Sequence, residues 1–194
     1  EDMFISEINS DDAYTRFEKM VLLSATKAIE DSGIDASSDK TIFVLSTTKG
    51  NVSLLEKNVC GVDDNRVLLG VMANVISCHF GNSNMPIVVS NACISGVCAQ
   101  IVAKRCLESS KYDNAVVIGA DEQSPFIVSG FMSFRALSPE VCHPFSKNRN
   151  GLNLGEAAAT IIYQRCDNVI DGWQAVKGAI RNDANHISGP SRTG

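Results

Sequence analysis

The stretch that decides the fold is IVVSNACISG, residues 87–96, in which a short apolar run leads directly into a cysteine. Residues 86–89 predict a short buried strand, and residues 94–107 predict a helix that begins immediately after it. Small side chains on both sides of Cys93 allow the backbone to turn tightly at that point. The stretch therefore predicts a strand–turn–helix unit with the sulfur of Cys93 accessible at the bend.

Cys93 has the features of a nucleophile. The positive end of a helix dipole favours negative charge on the sulfur, and the backbone N–H of the same residue is well placed to bind an oxyanion during acyl transfer. Hydrolases present a serine on a similar turn between a strand and a helix. The alternative is that Cys93 is a small packed residue, as most free cysteines are and as we expect Cys98 and Cys106 on the following helix to be.

Helices and strands alternate on both sides of this turn. Residues 41–45 form a continuous apolar run, which is typical of a strand covered on both faces. The pattern also predicts helices over residues 14–31 and 67–80 and strands over residues 115–119, 158–163 and 173–180. Residues 121–153 contain three prolines and show no clear period, which predicts a long functional loop. The alternation predicts an α/β layered fold.

The composition excludes several classes of protein. The chain has 194 residues, a formal net charge of −5 and 44% hydrophobic residues, so nucleic acid is not the expected partner. No apolar run approaches the roughly 18–20 residues of a membrane span, and we expect no signal peptide. Seven scattered cysteines in a chain of this length favour a reducing cytoplasm. They show no Cys-x-x-Cys spacing, so we expect no metal site.

Several segments together resemble the β-ketoacyl synthase family. Residues 91–96, NACISG, resemble its Thr-Ala-Cys-x-Ser-Gly signature around the nucleophile. The resemblance continues, in the same order, through VIGADE (residues 117–122), GFMSFRALS (130–138), PFSKNRNGLNLGEA (144–157) and NDANHISGP (182–190). It covers nearly the whole chain from about Ser10 onward. The motif over residues 144–157 is typical of the elongating enzymes that use acyl carrier proteins.

The resemblance implies a thiolase-like, layered αβαβα fold, of which residues 1–194 form the N-terminal half with a mixed, mostly parallel, five-stranded sheet. It implies that Cys93 takes up the acyl chain for a decarboxylative Claisen condensation in fatty acid or polyketide-type biosynthesis. Phe131 matches a phenylalanine that lines the acyl tunnel, and Leu68 matches more loosely a position that limits chain length. The implied partners are an acyl carrier protein with acyl or malonyl groups and a second ketosynthase-type subunit, in a homodimer or heterodimer. No cofactor is implied.

The resemblance also implies what this chain does not supply by itself. Condensation in the family needs two histidines, which we expect to lie in a second half beyond residue 194, and the family's opening strand is not among these residues. His79, His143 and His186 do not match the contexts of the catalytic histidines. The resemblance implies scaffold roles for an Arg149–Glu156 charge pair and for tight turns at Gly151 and Gly155.

Two alternatives remain open. The first is a catalytically weak partner subunit of the chain-length-factor kind, which shapes a pocket without carrying out the condensation. The cysteine at position 93 argues against this alternative. The second is a thiolase-like enzyme that uses CoA, which the motif over residues 144–157 disfavours. Acidic residues near positions 10–13 depart from the basic surface that elongating enzymes present to carrier proteins, so docking of the carrier is expected to differ.

Overall fold

The computed structural model of the protein describes residues 13–56, 62–166 and 172–181. The helices are α1 (Arg16–Ser32), α2 (Leu69–His79), α3 (Ser95–Glu108) and α4 (Pro125–Ser133). The strands are β1 (Thr41–Ser46), β2 (Ile87–Val89), β3 (Asn114–Asp121) and β4 (Ala157–Gln164). Two short 3-10 helices, Val52–Leu55 and Asp64–Val67, lie between β1 and α2.

Helix α1 begins and ends at local sequence signals. The hydroxyl of Thr15 accepts a hydrogen bond from the N–H of Glu18, and the Glu18 carboxylate accepts one from the N–H of Thr15, which forms a capping box. At the other end Gly33 adopts φ +68° and donates its N–H to the carbonyl of Ile29.

The sheet is mixed and mostly parallel, as predicted. Its strand order is β2-β1-β3-β4; β1 runs parallel to β2 and β3, and β4 runs antiparallel to β3. Every residue of β1 is buried, which confirms the prediction of a strand covered on both faces. Phe43 and Leu45 pack with α1 and α2 on one face, whereas Ile42 and Val44 pack with α3 on the other. The described chain therefore has three layers with the sheet in the middle.

The prediction of a fifth strand over residues 173–180 is wrong. These residues form no regular element, and the sheet formed by the described residues has four strands. The segment approaches α3 closely at Gly178, where an added Cβ would lie 2.6 Å from the side chain of Ile101. Since this neighbour is a helix and not a strand edge, the backbone N–H and C=O groups of the segment find no ladder partner there.

The prediction of an irregular segment over residues 121–153 is wrong in part, because α4 occupies Pro125–Ser133. The side chain of Ser124 accepts a hydrogen bond from Ile127 N, and Pro125 stands in the first turn, where its missing N–H is not needed. Ser124 followed by Pro125 is thus a signal for the start of a helix. The three prolines of the segment led instead to the prediction of a loop. None of the helices in the described ranges is long and apolar enough to cross a membrane.

Candidate acyl-transfer site

Cys93 lies at the carboxyl-terminal edge of the sheet. The parallel strands β1, β2 and β3 all end at this edge. β2 ends at Val89, the chain turns through residues 90–94, and α3 begins at Ser95 with Ile94 as its N-cap. The strand–turn–helix unit predicted from the sequence is therefore present. The Cys93 side chain is exposed to solvent, whereas Cys98, one turn into α3, is buried.

The turn is strained and strongly hydrogen-bonded. Ala92 adopts φ +46°, a left-handed conformation that costs a non-glycine residue about 1–2 kcal/mol. The hydroxyl of Ser95 donates to the carbonyl of Ala92 at 2.7 Å and accepts from Asn91 N at 2.8 Å. Asn91 also accepts a backbone hydrogen bond from Ile94 N, at 3.2 Å. These contacts hold the three residues that precede the helix in one conformation.

Cys98 and Asn91 connect the turn to the interior. The side-chain amide of Asn91 donates to the sulfur of Cys98 at 3.7 Å, and Cys98 is 3% exposed. The sequence prediction that Cys98 is a packed core residue is in agreement with this burial. Cys106, further along α3, is half-buried, and burial raises the pKa of its thiol. Cys98 and Cys106 are therefore at least partly buried, whereas Cys93 is exposed.

A carboxylate that sequence reasoning did not single out joins the ends of β1 and β3. Asp121 Oδ1 accepts hydrogen bonds from Thr47 Oγ1 at 3.0 Å, from Thr48 N at 3.0 Å and from Thr48 Oγ1 at 2.9 Å. Since one oxygen has three donors, this group holds the sheet edge together next to the turn that contains Cys93. Adjacent threonines directly after a buried strand were the available signal.

A second group of charges holds the segment between β3 and α4. Glu156 accepts from the Arg16 guanidinium at 2.5 Å and from Gln123 N at 3.3 Å, and Glu56 accepts from Phe126 N at 2.7 Å. The predicted Arg149–Glu156 pair is therefore wrong. Arg149 instead donates to the carbonyl of Ser146, and the true partner of Glu156 is 140 residues away in sequence.

Glu122 is the buried member of this group, with 8% of its surface exposed. Burial raises its pKa above the ordinary value, and the nearby Glu156 and Glu56 carboxylates raise it further. A hydrogen bond from Ser53 Oγ at 3.2 Å and the charge of Arg16 lower the pKa, but the net shift is upward. Desolvation therefore outweighs the compensating partners.

The loop after α4 is closed by Gly151. Its φ is +78°, and an added Cβ would lie 2.7 Å from Ala136 O and from Ser138 N. Two segments of this loop are joined there by an isolated β-bridge between Leu137 and Leu152. The predicted tight turn at Gly151 is confirmed. Gly155 has no neighbour within 4 Å of an added Cβ, so the structure gives no steric reason for a glycine at that position.

The two residues predicted to line an acyl pocket lie in different elements. Phe131 is half-buried in α4, and Leu68, at 57% exposure, is the N-cap of α2. Two cavities, of about 560 and 280 Å³, are lined by α3 and by residues 175–179, with Tyr163 at the smaller one, and neither includes Cys93, Phe131 or Leu68. The described residues therefore do not bring these three side chains together around either cavity.

The histidines do not complete a catalytic group in the described residues. His79, at the end of α2, lies 2.9 Å from the hydroxyl of Tyr14 through its Nδ1 and packs edge-on against Phe80. The residue is nevertheless exposed to solvent, so His79 is not part of the packed core. His143 is exposed in the loop after α4. His186 lies outside the described residues.

Comparison with known proteins identifies the family. The chain is 24% identical over 188 residues to a highly reducing polyketide synthase of Didymella fabae, which covers 90% of this chain and 10% of that protein. The structure matches a β-ketoacyl synthase from Burkholderia phymatum STM815 with a TM-score of 0.69 and 21% identity, over 80% of this chain and 43% of that one. It also matches the ishigamide ketosynthase/chain length factor with a TM-score of 0.65 and 25% identity, over 79% and 42% of the two chains.

These matches confirm the thiolase-like ketosynthase fold. The chain spans half or less of the length of the curated relatives that it matches. The family model described as "Beta-ketoacyl synthase, N-terminal domain" matches residues 2–168, which is most of the chain. The chain therefore belongs to the β-ketoacyl synthase family, of which it contains the N-terminal domain.

Proposed function

We propose that the protein, in its full length, is a β-ketoacyl-acyl-carrier-protein synthase of polyketide or fatty acid biosynthesis in which Cys93 carries the acyl chain. The observation that carries the proposal is the exposed sulfur of Cys93 on a strained turn between β2 and the N-terminus of α3. Buried thiols elsewhere in the chain lack this presentation. The curated relative from Didymella fabae, a polyketide synthase, favours the polyketide branch.

The first step under this proposal is transfer of an acyl group from a carrier thioester to Cys93. The sulfur attacks the carbonyl carbon, the bond to the carrier sulfur breaks, and the Cys93 proton leaves with the carrier thiol. The backbone N–H of Cys93 would donate to the oxyanion of the tetrahedral intermediate, as donors at such turns do. The second step joins this acyl group to a malonyl-carrier, with loss of carbon dioxide and return of the free thiol.

The acyl pocket and the partners belong to the same proposal. Phe131 and Leu68 are proposed to border the acyl chain, in a pocket completed by parts of the protein outside the described residues. The second step requires catalytic histidines, which we propose to lie after residue 194. The acyl carrier protein is the proposed donor of both substrates, and the cytoplasm is the proposed location.

The alternative is a chain-length-factor-like partner subunit of a ketosynthase heterodimer. The match to the ishigamide ketosynthase/chain length factor keeps this possibility in view, because that complex contains both kinds of subunit by name. A partner of this kind would not need an exposed cysteine on a strained turn. The presentation of Cys93 therefore favours the condensing enzyme.

The test is acylation of the full-length protein by an acyl-carrier thioester, followed by intact-protein mass spectrometry and peptide mapping. We expect a single acyl adduct on Cys93 and none on Cys78 or Cys166, which are exposed cysteines and serve as internal controls. Cys93→Ala should remove the adduct. Addition of malonyl-carrier should then release a β-ketoacyl product. Acylation without condensation would support the partner-subunit alternative, and acylation spread over all exposed thiols would refute both.

A further inference from the structure

Ser95 bonds to two peptide groups of the turn, the one between residues 90 and 91 and the one between residues 92 and 93. Its side chain is buried, with 5% of the residue exposed. Its Oγ accepts a hydrogen bond from Asn91 N at 2.8 Å and donates to Ala92 O at 2.7 Å. Because helix α3 has no side-chain cap at Ile94, this hydroxyl is the polar side-chain group that organises the helix start.

The second of these bonds acts on the peptide group that contains the Cys93 N–H. The carbonyl of Ala92 and the N–H of Cys93 belong to the same planar unit, so fixing the orientation of one fixes the other. Ala92 O also accepts a hydrogen bond from Ser95 N at 3.2 Å. Hydrogen bonds to the carbonyl oxygen polarise the amide and make its N–H a better donor.

The same contacts maintain a strained backbone. Ala92 has φ +46°, and a residue in such a conformation persists only where its surroundings hold it. Ser95 bonds to Ala92 and to the residue before it, so it contacts the strained unit on both sides. Without the hydroxyl, the 3.2 Å bond from Ser95 N would remain on Ala92 O, but the shorter bond would be lost and the peptide plane between Ala92 and Cys93 would be held less firmly.

We infer that Ser95 is a positioning residue that directs and polarises the Cys93 N–H toward the oxyanion formed during acyl transfer. The inference rests on the proposed function. Ser95 does not contact the acyl group and does not present the sulfur itself. Its effect is therefore expected on reactions that pass through an oxyanion and not on reactions of the sulfur alone.

Two reactions of Cys93 separate these effects. Acylation by a thioester passes through a tetrahedral oxyanion that needs the N–H donor. Alkylation by iodoacetamide is a direct displacement, in which the sulfur replaces iodide without an oxyanion. Loss of an entire oxyanion donor costs about 10²–10³-fold in rate. Because Ser95→Ala misdirects the donor without removing it, we expect a loss on the order of 10-fold or more in acylation and less than about 3-fold in alkylation.

The experiment measures both rates on the full-length protein by intact-protein mass spectrometry, with an acyl-carrier thioester and with iodoacetamide. Ser95→Thr retains the hydroxyl and should keep most of the acylation rate, whereas Ser95→Val has the same shape without it and should not. This pair gives the answer even where Ser95→Ala folds poorly, since the two side chains differ only in the hydroxyl.

Ser109→Ala is the matched control at the other end of the same helix. The Ser109 hydroxyl donates to Cys106 O at 2.7 Å, which repeats the bond of Ser95 to the carbonyl three residues before it. Both rates of this variant should equal those of the unmodified protein. Equal acylation by Ser95→Val and Ser95→Thr, or a parallel fall in acylation and alkylation, would overturn the inference. Absence of acylation in the unmodified protein would instead refute the proposed function.

Discussion

At the scale of single residues, two buried carboxylates, Glu18 and Glu122, differ in how many hydrogen-bond donors surround them. Glu18 is fully buried and accepts hydrogen bonds from Thr15 N, Asn51 Nδ2 and Arg66 Nη1 at 2.9–3.0 Å. A buried carboxylate with this many donors is compensated and ties α1 to the residues before α2. Glu122 is nearly as buried but accepts one side-chain hydrogen bond, from Ser53 Oγ at 3.2 Å, and burial raises its pKa.

Glu122→Gln should stabilise the protein relative to the unmodified chain, and the gain should grow as pH rises. Burial raises the folded-state pKa of Glu122, so its contribution to stability is present below the unfolded-state pKa, about 4.3, and is lost as pH rises through the raised value. Glutamine stays neutral and keeps an acceptor for the Ser53 hydroxyl. The difference in Tm should therefore increase upward from about pH 4.3 and then level off.

Thermal melting across this pH range measures the effect, at roughly 2–4 °C for each kcal/mol in a chain of this size. Glu140→Gln, at an exposed position, is the matched control and should show no such trend. A Tm difference for Glu122→Gln that shrinks as pH rises would contradict the raised pKa.

At the scale of elements, the loop between α4 and β4 depends on one glycine. Gly151→Ala places a Cβ against two backbone groups at a positive φ, so we expect a loss of about 2–4 kcal/mol in the free energy of unfolding. Gly155→Ala, four residues on, meets no atom within 4 Å and should change stability by less than about 0.5 kcal/mol. Denaturant unfolding measures the free energy of unfolding of both variants. Equal values would show that the loop can shift to accommodate the Cβ at position 151.

Helix α4 carries Phe131, which is proposed to border the acyl chain. Phe131→Ala should change which acyl chains load onto Cys93, at a cost of roughly 1–3 kcal/mol, because the side chain is half-buried and a fully buried one costs about 3–5 kcal/mol. Phe126→Ala, in the first turn of the same helix and 52% exposed, is the control. Mass spectrometry across a series of acyl-carrier substrates gives the length profile. An unchanged profile in a folded Phe131→Ala protein would remove this residue from the pocket.

The elements that were predictable are those with a strong local pattern. The period of α1, the apolar run of β1 and the turn at Cys93 all follow from neighbouring residues. The segment over residues 173–180 has the apolar content of a strand, but its neighbour is a helix, and sequence pattern does not reveal the neighbour. The pair between Arg16 and Glu156 was missed for the same reason, since its partners meet only after the sheet has formed.

At the scale of the whole molecule, the two edges of the sheet differ. β4 is eight residues long and antiparallel, whereas β2 is three residues long and ends beside the turn that contains Cys93. Exposed apolar side chains lie near both ends of β2, among them Met85 before the strand and Ile94 in the turn after it. Apolar surface beside a strand edge that pairs with no other described strand is a feature of an association site.

We therefore expect the full-length protein to form a dimer in which the β2 edges of two copies pair. In a two-fold pairing the two ends of β2 face each other, so lysines at both ends would bring like charges together. The combined substitutions Met85→Lys and Ser90→Lys, both at exposed positions, should shift the protein toward monomer. Gln164→Lys, on the opposite edge strand, is the control and should leave the dimer intact. Light scattering coupled to size-exclusion chromatography measures the state, and a stable monomer of the unmodified protein at micromolar concentration would refute the pairing.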